Sequence, residues 1–103
     1  MHEIYISPEA KNDLLEIKEY ISINLSNHQA SVKLISNIME KIKALAEYPK
    51  IGAPLSSVVD IKTNYRFLVC NNYLVFYKLE DKTIFILRII YSKRDYLLIL
   101  FGD

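Results

Sequence analysis

The second half of the chain holds three strand-like runs separated by breaks of only two and three residues. The runs cover residues 61–70, 73–79 and 83–91 and are rich in β-branched and aromatic side chains. The first break, Asn71-Asn72, is a tight-turn signal because asparagine tolerates positive φ, and the second is the polar triplet 80–82. Breaks this short suit hairpins, so the sequence predicts an antiparallel three-stranded meander.

Two amphipathic helices are predicted before the meander, because apolar residues recur there every three or four positions. The stripe of the first helix is Ala10, Leu14, Ile17 and Ile21. The stripe of the second helix is Ile35, Ile38, Ile42 and Leu45. Asp13 and the other charged residues of the first helix fall largely off its stripe, and that helix ends near Asn24. Pro49 stops the second helix just after Tyr48. The polar residues 26–28 lie between the two helices, so the sequence predicts an antiparallel helix hairpin joined by a short turn.

A short strand opens the chain and an apolar tail closes it. Residues 2–6 alternate polar and apolar, and Ser7-Pro8 supplies a helix N-cap followed by proline. A turn-rich connection runs from Lys50 to about Asp60. The expected fold is therefore α+β in the order β-α-α-β-β-β, one domain over residues 1–103. The tail, Tyr96 to Phe101, must pack back on the sheet or be covered by another chain.

Charge and composition narrow the class of protein. No stretch approaches the ~20 apolar residues of a membrane span, so a soluble cytoplasmic protein without membrane contact is expected. The single cysteine, Cys70, lies in an apolar run and is expected to be a buried small hydrophobe. Neither a metal nor a cofactor is expected. Residues 1–60 carry six basic and eight acidic side chains and residues 61–103 seven and four, so the second part is the side expected to meet an anionic partner.

The order of elements resembles the RelE/ParE superfamily of bacterial toxins over nearly the whole chain. The motifs that carry the resemblance are Ala10, Leu14 to Ile17, Pro49-Lys50-Ile51-Gly52, Tyr65-Arg66, Tyr73 to Tyr77 and Arg88 to Tyr96. It implies the toxin component of a type II toxin–antitoxin, or plasmid stabilisation, module that arrests growth. It also implies a cognate antitoxin as partner and a possible higher-order toxin–antitoxin assembly.

Members of the superfamily divide by target, and the resemblance leaves two targets open. RelE-like toxins cut messenger RNA on the ribosome, whereas ParE-like toxins poison DNA gyrase. RNA cleavage by 2′-hydroxyl attack needs a base, a cation and an acid on one face. The candidate catalytic residues for that reading are Arg66, Arg94 and Tyr91, and RelE-like nucleases also carry basic residues at the first two of these positions.

Three positions favour the ParE-like reading. Leu68 and Leu74 stand where the nucleases typically have basic residues, and Tyr91 stands where others of the group have histidine. The stretch from Arg88 to Arg94-Asp95 is similar to the closing pattern of ParE-like toxins. We therefore expect a toxin that binds a protein target, with a metal-independent endoribonuclease as the alternative and a non-toxic interaction module as the third possibility.

The residues expected to contact the target or the antitoxin are Arg66, Arg88, Tyr91, Lys93, Arg94 and Tyr96. Each has a structural alternative. Arg66 has an ion pair with Asp60 or Asp95 as its alternative. Strict alternation places Arg88 on one strand face with Ile84, Ile86 and Ile90. An arginine on such an apolar face is normally paired within the fold, so a structural role is favoured for Arg88. Lys93 and Arg94 form either a solvated turn or an anion-binding arrangement beside Tyr91.

Overall fold

The computed structural model describes residues 1–102 and confirms the α+β class. Its strands are β1 (Glu3–Ile6), β2 (Ala53–Pro54), β3 (Arg66–Cys70), β4 (Tyr73–Glu80) and β5 (Thr83–Tyr91). Its α-helices are α1 (Pro8–Glu19), α2 (His28–Ala44) and α3 (Tyr96–Phe101), with a π-helical turn at Tyr20–Asn24 and a 3₁₀ turn at Leu55–Ser57. The five strands form one sheet in the order β1-β5-β4-β3-β2.

The expected meander is confirmed. Strands β3, β4 and β5 are antiparallel neighbours, and both hairpin turns use left-handed residues, Asn71 and Asp81, each with a φ of 54°. Asparagine and aspartate tolerate this region because their short polar side chains can bond locally. Strand β1 pairs with β5 in parallel. The next residue along the chain, Ser7, caps α1: its hydroxyl accepts a hydrogen bond from the Ala10 amide at 3.0 Å.

The elements differ from the predictions in four places. The strand predicted over 61–70 begins only at Arg66, because the residues before it have no strand partner on either side. Strand β2 is two residues long and pairs only as far as Arg66, and residues 78–80 of β4 pair with β5 alone. Strand β2 itself lies inside the segment expected to be irregular. Helix α2 ends at Ala44 rather than Tyr48, since the amide of Leu45 bonds the carbonyl of Ile42 and tightens the chain into turns. The apolar tail forms α3.

Each face of the sheet has its own hydrophobic cluster. The larger cluster lies under α1 and α2 and includes Ala10, Ile17, Ile38, Ile42, Cys70, Val75, Tyr77, Ile84, Ile86 and Ile89. The smaller cluster lies under α3 and comprises Leu55, Leu74, Phe76 and Ile90 with partly buried residues around them. The expectation that the tail packs back on the sheet is therefore confirmed. Cys70 is 1% exposed, and burial raises the pKa of its thiol, so it behaves as a small core residue.

A β-bulge in β5 changes which residues share a face. Tyr77 pairs with Ile86 and Phe76 pairs with Arg88, so Leu87 is an extra residue without a partner on β4. Ile84 and Ile86 pack in the larger cluster and Ile90 in the smaller one. The prediction that Arg88 shares one face with all three isoleucines is wrong, because the extra residue reverses the alternation beyond it.

The Asp13 carboxylate joins α1 to β5. It accepts hydrogen bonds from Arg88 Nε at 2.8 Å, Arg88 Nη2 at 2.9 Å and the Ile89 amide at 2.8 Å. Asp13 is 6% exposed, so the prediction that it lies off the buried face of α1 is wrong. Both oxygens of the carboxylate thus accept hydrogen bonds, and one of them pairs the Ile89 amide at the edge of β5 beyond the end of β1.

The Tyr77 hydroxyl holds the segment between α2 and β2 against the sheet. It donates to the Pro49 carbonyl at 2.9 Å and accepts from the Gly52 amide at 3.0 Å. A Cβ on residue 52 would lie 2.6 Å from both the Phe67 carbonyl oxygen and this hydroxyl. Glycine is therefore required at position 52 by close approach of two backbones rather than by an unusual φ.

Removal of the Tyr77 hydroxyl is expected to destabilise the fold by about 1–3 kcal/mol, because Tyr77→Phe leaves the buried Gly52 amide without an acceptor. Urea unfolding followed by circular dichroism measures the change. Tyr48→Phe is the matched control, since Tyr48 is 58% exposed, and its effect is expected to stay within about 0.5 kcal/mol. Equal effects of the two variants would contradict the role of the Tyr77 hydroxyl.

Asp13→Ala is expected to cost about 2–4 kcal/mol, because it leaves the Arg88 guanidinium and the Ile89 amide without their acceptor. The value lies below that of a fully buried pair because the Arg88 side chain is 28% exposed. Glu16→Ala, an exposed change on the same helix, is the control and is expected to be nearly neutral. An Asp13→Ala protein as resistant to urea as the Glu16→Ala protein would refute the assignment.

Candidate functional site

The structure divides the six candidate residues among four places. Tyr91 ends β5, and Lys93 and Arg94 lie in the exposed turn that follows it. Arg88 is held by Asp13. Tyr96 begins α3 on the opposite face of the sheet, where its ring centroid lies 5.3 Å from that of Phe76. Arg66 begins β3 at the far end of the sheet, so only Tyr91, Lys93 and Arg94 form one local group.

Arg66 is a structural residue of the β2 end of the sheet. One of its terminal nitrogens donates to the Gly52 carbonyl at 2.6 Å and to the Lys50 carbonyl at 3.1 Å. The ion pair with Asp60 or Asp95, which the sequence left as the structural alternative, is absent from the described residues, so that alternative is wrong. The guanidinium instead stabilises the same connection that the Tyr77 hydroxyl holds.

The catalytic set proposed from the sequence is not brought together. Arg66 pairs with Tyr77, whereas Tyr91 pairs with Tyr73, four residues away along β4. This offset corresponds to about 13 Å at about 3.3 Å per residue. Arg66 also points its guanidinium towards Gly52 and away from the β5 end. A phosphate held by Arg94 and Tyr91 would therefore lie out of reach of Arg66.

Arg88 is paired, as its buried setting suggested. Hydrogen bonds to the Asp13 carboxylate raise the pKa of Arg88 above its usual range, and the negative charges of Asp13, Glu9 and Glu16 add to a rise that burial partly offsets. The guanidinium therefore stays charged and engaged. Its contribution to the site is to hold the last residues of β5 against α1.

The backbone fixes the turn after β5 while its basic side chains remain exposed. The Ser92 amide donates to the Asn72 carbonyl at 2.8 Å, and the Arg94 amide donates to the Tyr91 carbonyl at 3.0 Å. Within residues 1–102 the side chains of Lys93 and Arg94 make no hydrogen bond or ion pair. We call residues 91–94 the basic turn. Its free cations can bind phosphate or carboxylate groups of a partner.

A groove of about 700 Å³ opens beside the basic turn, between the helix hairpin and the end of the sheet. Its helical wall is formed by Asp13, Glu16, Ile17, Tyr20, Ile21, Leu25, Ala30 and Leu34. Its sheet wall is formed by Asn71, Asn72, Tyr73, Ile89, Tyr91 and Arg94. We call this cleft the tyrosine groove. Tyr91 and Arg94 belong both to it and to the basic turn.

Three tyrosines crowd one part of the groove. The rings of Tyr73 and Tyr91 lie with centroids 5.7 Å apart and planes tilted by 59°. Burial raises the pKa of the Tyr73 hydroxyl, and the neighbouring Tyr91 and Tyr20 add to the rise. The Tyr73 phenol therefore stays protonated at neutral pH, so this part of the groove is an aromatic surface with a hydroxyl donor.

Sequence reasoning missed the helical wall of the groove. Tyr20 and Leu25 lie in and just after the π-helical turn and are 53% and 58% exposed. A single-turn widening of a helix has no recognisable sequence signal here. Asp13 had one: it follows Ala10 by three residues and precedes Ile17 by four, which is the spacing of the buried stripe.

Two negative findings concern the described residues. Between Met1 and Gly102 no group of three or more His, Cys, Asp or Glu side chains lies close enough to hold a metal ion. In the same part of the chain, no helix combines the length and the apolar character needed to cross a membrane.

Comparisons with known proteins agree with the fold and with the resemblance found in the sequence. The fold is similar to that of a chain in a solved structure of the chromosomal ParDE toxin–antitoxin (TA) system from P. aeruginosa, with a TM-score of 0.75. The two sequences are 24% identical, and the match covers 90% of this chain and 98% of that chain. No curated protein matches the chain. A family model for the ParE toxin of the type II toxin–antitoxin system parDE matches residues 4–96. The chain therefore belongs to the ParE toxin family of type II toxin–antitoxin systems.

Proposed function

We propose that this ParE-type toxin arrests growth by binding and poisoning DNA gyrase, that the basic turn contacts the target, and that a cognate antitoxin neutralises it. The observation that carries the proposal is the family match over residues 4–96, since poisoning of gyrase is what the ParE side of the superfamily implies. The geometry supports the basic turn because Lys93 and Arg94 are exposed cations on a fixed backbone. Such groups suit acidic partners.

The packing supports binding over RNA cleavage. Leu68 packs against the larger cluster, and Leu74 is 9% exposed in the smaller one, so both positions serve the core. Arg66 is bonded to two backbone carbonyls and lies about 13 Å along the strands from the level of Tyr91. A base, a cation and an acid that converge on one phosphate are needed for cleavage, and these candidates are spread over the sheet.

Purified toxin is expected to inhibit supercoiling of relaxed plasmid by gyrase. The Lys93→Glu/Arg94→Glu variant should need about tenfold more protein or more for half inhibition, because two cations facing the target are reversed. Lys82→Glu is the control: it reverses an exposed charge in the turn at the other end of β5, and inhibition should change by less than about twofold.

Two outcomes of this assay would refute the gyrase proposal. One is a wild-type toxin that leaves supercoiling unchanged at every concentration. The other is cleavage of messenger RNA on translating ribosomes that is lost in Arg94→Ala, which would establish the endoribonuclease alternative instead.

Induced expression of the chain in a bacterial host is expected to stop growth, and co-expression of the antitoxin from the adjoining gene is expected to restore it. The two proteins should then elute as one complex in size-exclusion chromatography. Normal growth with soluble toxin verified by immunoblot would refute toxicity. Separate elution of the two proteins would refute the complex.

A further inference from the structure

We propose that the chain pairs with a second copy of itself through the outer edge of β1, so that two five-stranded sheets join into one continuous sheet. The two β1 strands run antiparallel about a twofold axis that passes beside Tyr5. Such an interface is isologous, because each copy contributes the same residues to it. The inference uses neither the target nor the antitoxin, so it stands apart from the proposed function.

The outer edge of β1 carries backbone groups that the fold leaves open. The amides of Glu3 and Ser7 donate to backbone carbonyls on and just before β5, so alternate residues of the strand face β5. The N–H and C=O groups of Ile4 and Ile6 therefore point away from the sheet. Within residues 1–102 these outward groups make no hydrogen bond to another residue. They are a template for one more strand.

The neighbouring edge, where β5 extends beyond β1, is capped by side chains. The Ser7 hydroxyl donates to the Leu87 carbonyl at 2.9 Å. Two residues further on, the Asp13 carboxylate accepts from the Ile89 amide at 2.8 Å. An additional strand would have to displace both side chains, so strand addition is blocked along this part of β5.

The opposite edge of the sheet is blunted as well. Strand β2 is two residues long, and its Pro54 has no N–H, while the Pro54 carbonyl accepts from the Ser57 hydroxyl at 2.6 Å. Further along, Lys41 Nζ donates to the Val69 carbonyl of β3 at 2.7 Å. Proline, lysine and very short strands are the means by which sheets avoid unwanted pairing. Among the described residues no cap of this kind covers β1, so β1 is the edge left available.

A second copy fits this edge in one register. When Ile4 lies opposite Ile6 of the second copy, every outward N–H of the two strands gains an acceptor and every outward carbonyl a donor. A shift by two residues in one direction would bring His2 into the pairing, but the His2 amide already donates to the Ala46 carbonyl. The same shift in the other direction would bring in Pro8, which has no N–H and begins α1.

The side chains agree with this register. Tyr5 lies at the axis, is 49% exposed and packs edge-on against Phe85 with ring centroids 5.7 Å apart. Tyr5 then faces Tyr5 of the second copy in a non-hydrogen-bonded pair, where cross-strand side chains are closest. The one charged residue of β1, Glu3, lies opposite Ser7 of the second copy, so like charges do not meet.

A second copy also suits the edge better than a flexible peptide does. Its β1 is already held as a strand by β5, so pairing orders few further residues. A flexible peptide would lose conformational entropy at every residue that it fixed. Because β1 is only four residues long, the pairing buries less area than a stable dimer needs. We therefore expect a reversible dimer with a dissociation constant of about 10 µM to 1 mM.

Pairing through β1 leaves the basic turn free. Strand β1 lies beside Thr83–Ile86, and the basic turn starts at Tyr91, about 16 Å further along β5. Because the axis reverses the strand direction, the dimer carries its two basic turns at opposite ends of the joined sheet. A target that can engage both turns would bind the dimer more tightly than the monomer without any new contact.

The first experiment reads the register by disulfide formation. Tyr5→Cys toxin should form a crosslinked dimer under mild oxidation, because residues that face each other at the axis lie within disulfide range. Glu3→Cys is the matched control on the same strand and face, where the two cysteines would be about 13 Å apart and dimer yield should be at least about tenfold lower. The native Cys70 is 1% exposed and does not interfere. Absence of crosslinking in Tyr5→Cys, or equal crosslinking in both variants, overturns the register.

The second experiment measures self-association of the unmodified chain by sedimentation equilibrium at about 5 µM to 1 mM. Tyr5→Lys should raise the dissociation constant at least about tenfold, because it sets two like charges opposite each other at the axis. Val69→Lys is the control: Val69 is 54% exposed on β3, across the sheet from β1, and the constant should stay within about threefold. Circular dichroism and urea unfolding verify that each variant is folded.

Hydrogen exchange followed by nuclear magnetic resonance then locates the interface. The Ile4 and Ile6 amides should exchange at least about tenfold more slowly at 1 mM than at 5 µM, because pairing protects them. Fast exchange of both amides at every concentration, or a dimer that Tyr5→Lys leaves unchanged, overturns pairing through β1. Protection that requires the antitoxin overturns the choice of a second copy. Gyrase is absent from these measurements, so a failure of the proposed target leaves their outcome unchanged.

Discussion

The rest of the structure depends on one buried carboxylate. Asp13 receives the Arg88 guanidinium and the Ile89 amide, and so joins the first helix to the last strand across 75 residues of sequence. A buried carboxylate is stable only when its lone pairs are satisfied, and three donors satisfy this one. The same hydrogen bonds hold the end of β5 beside α1, and the groove opens next to this junction.

The two faces of the sheet perform different tasks. The helix hairpin covers one face with a large cluster, and the groove opens between its π-helical turn and the tyrosines of the sheet end. The six-residue helix α3 covers part of the other face through Tyr96 and its neighbours. Tyr96 and Arg66 therefore support the scaffold, and the exposed cations among the candidate residues, Lys93 and Arg94, lie in the basic turn beside the groove.

A domain of 103 residues thus carries exposed charge and exposed apolar area side by side. The basic turn offers charge on a rigid backbone, whereas the groove offers apolar area. Charge guides encounter and orientation, and apolar burial supplies most of the affinity. Tyr91 and Arg94 belong to both the basic turn and the groove lining.

The amino-acid sequence determined the fold class, the meander with its two turns, the helix hairpin and the family, because each follows from local periodicity and turn chemistry. It also identified the basic turn, since adjacent cations after a strand are visible in one dimension. Only the tertiary structure decided the partners of Arg66, Arg88 and Asp13 and the existence of the groove. The physical reason is that one extra residue at Leu87 reverses strand alternation, and hydrogen bonds between distant segments have no local signal.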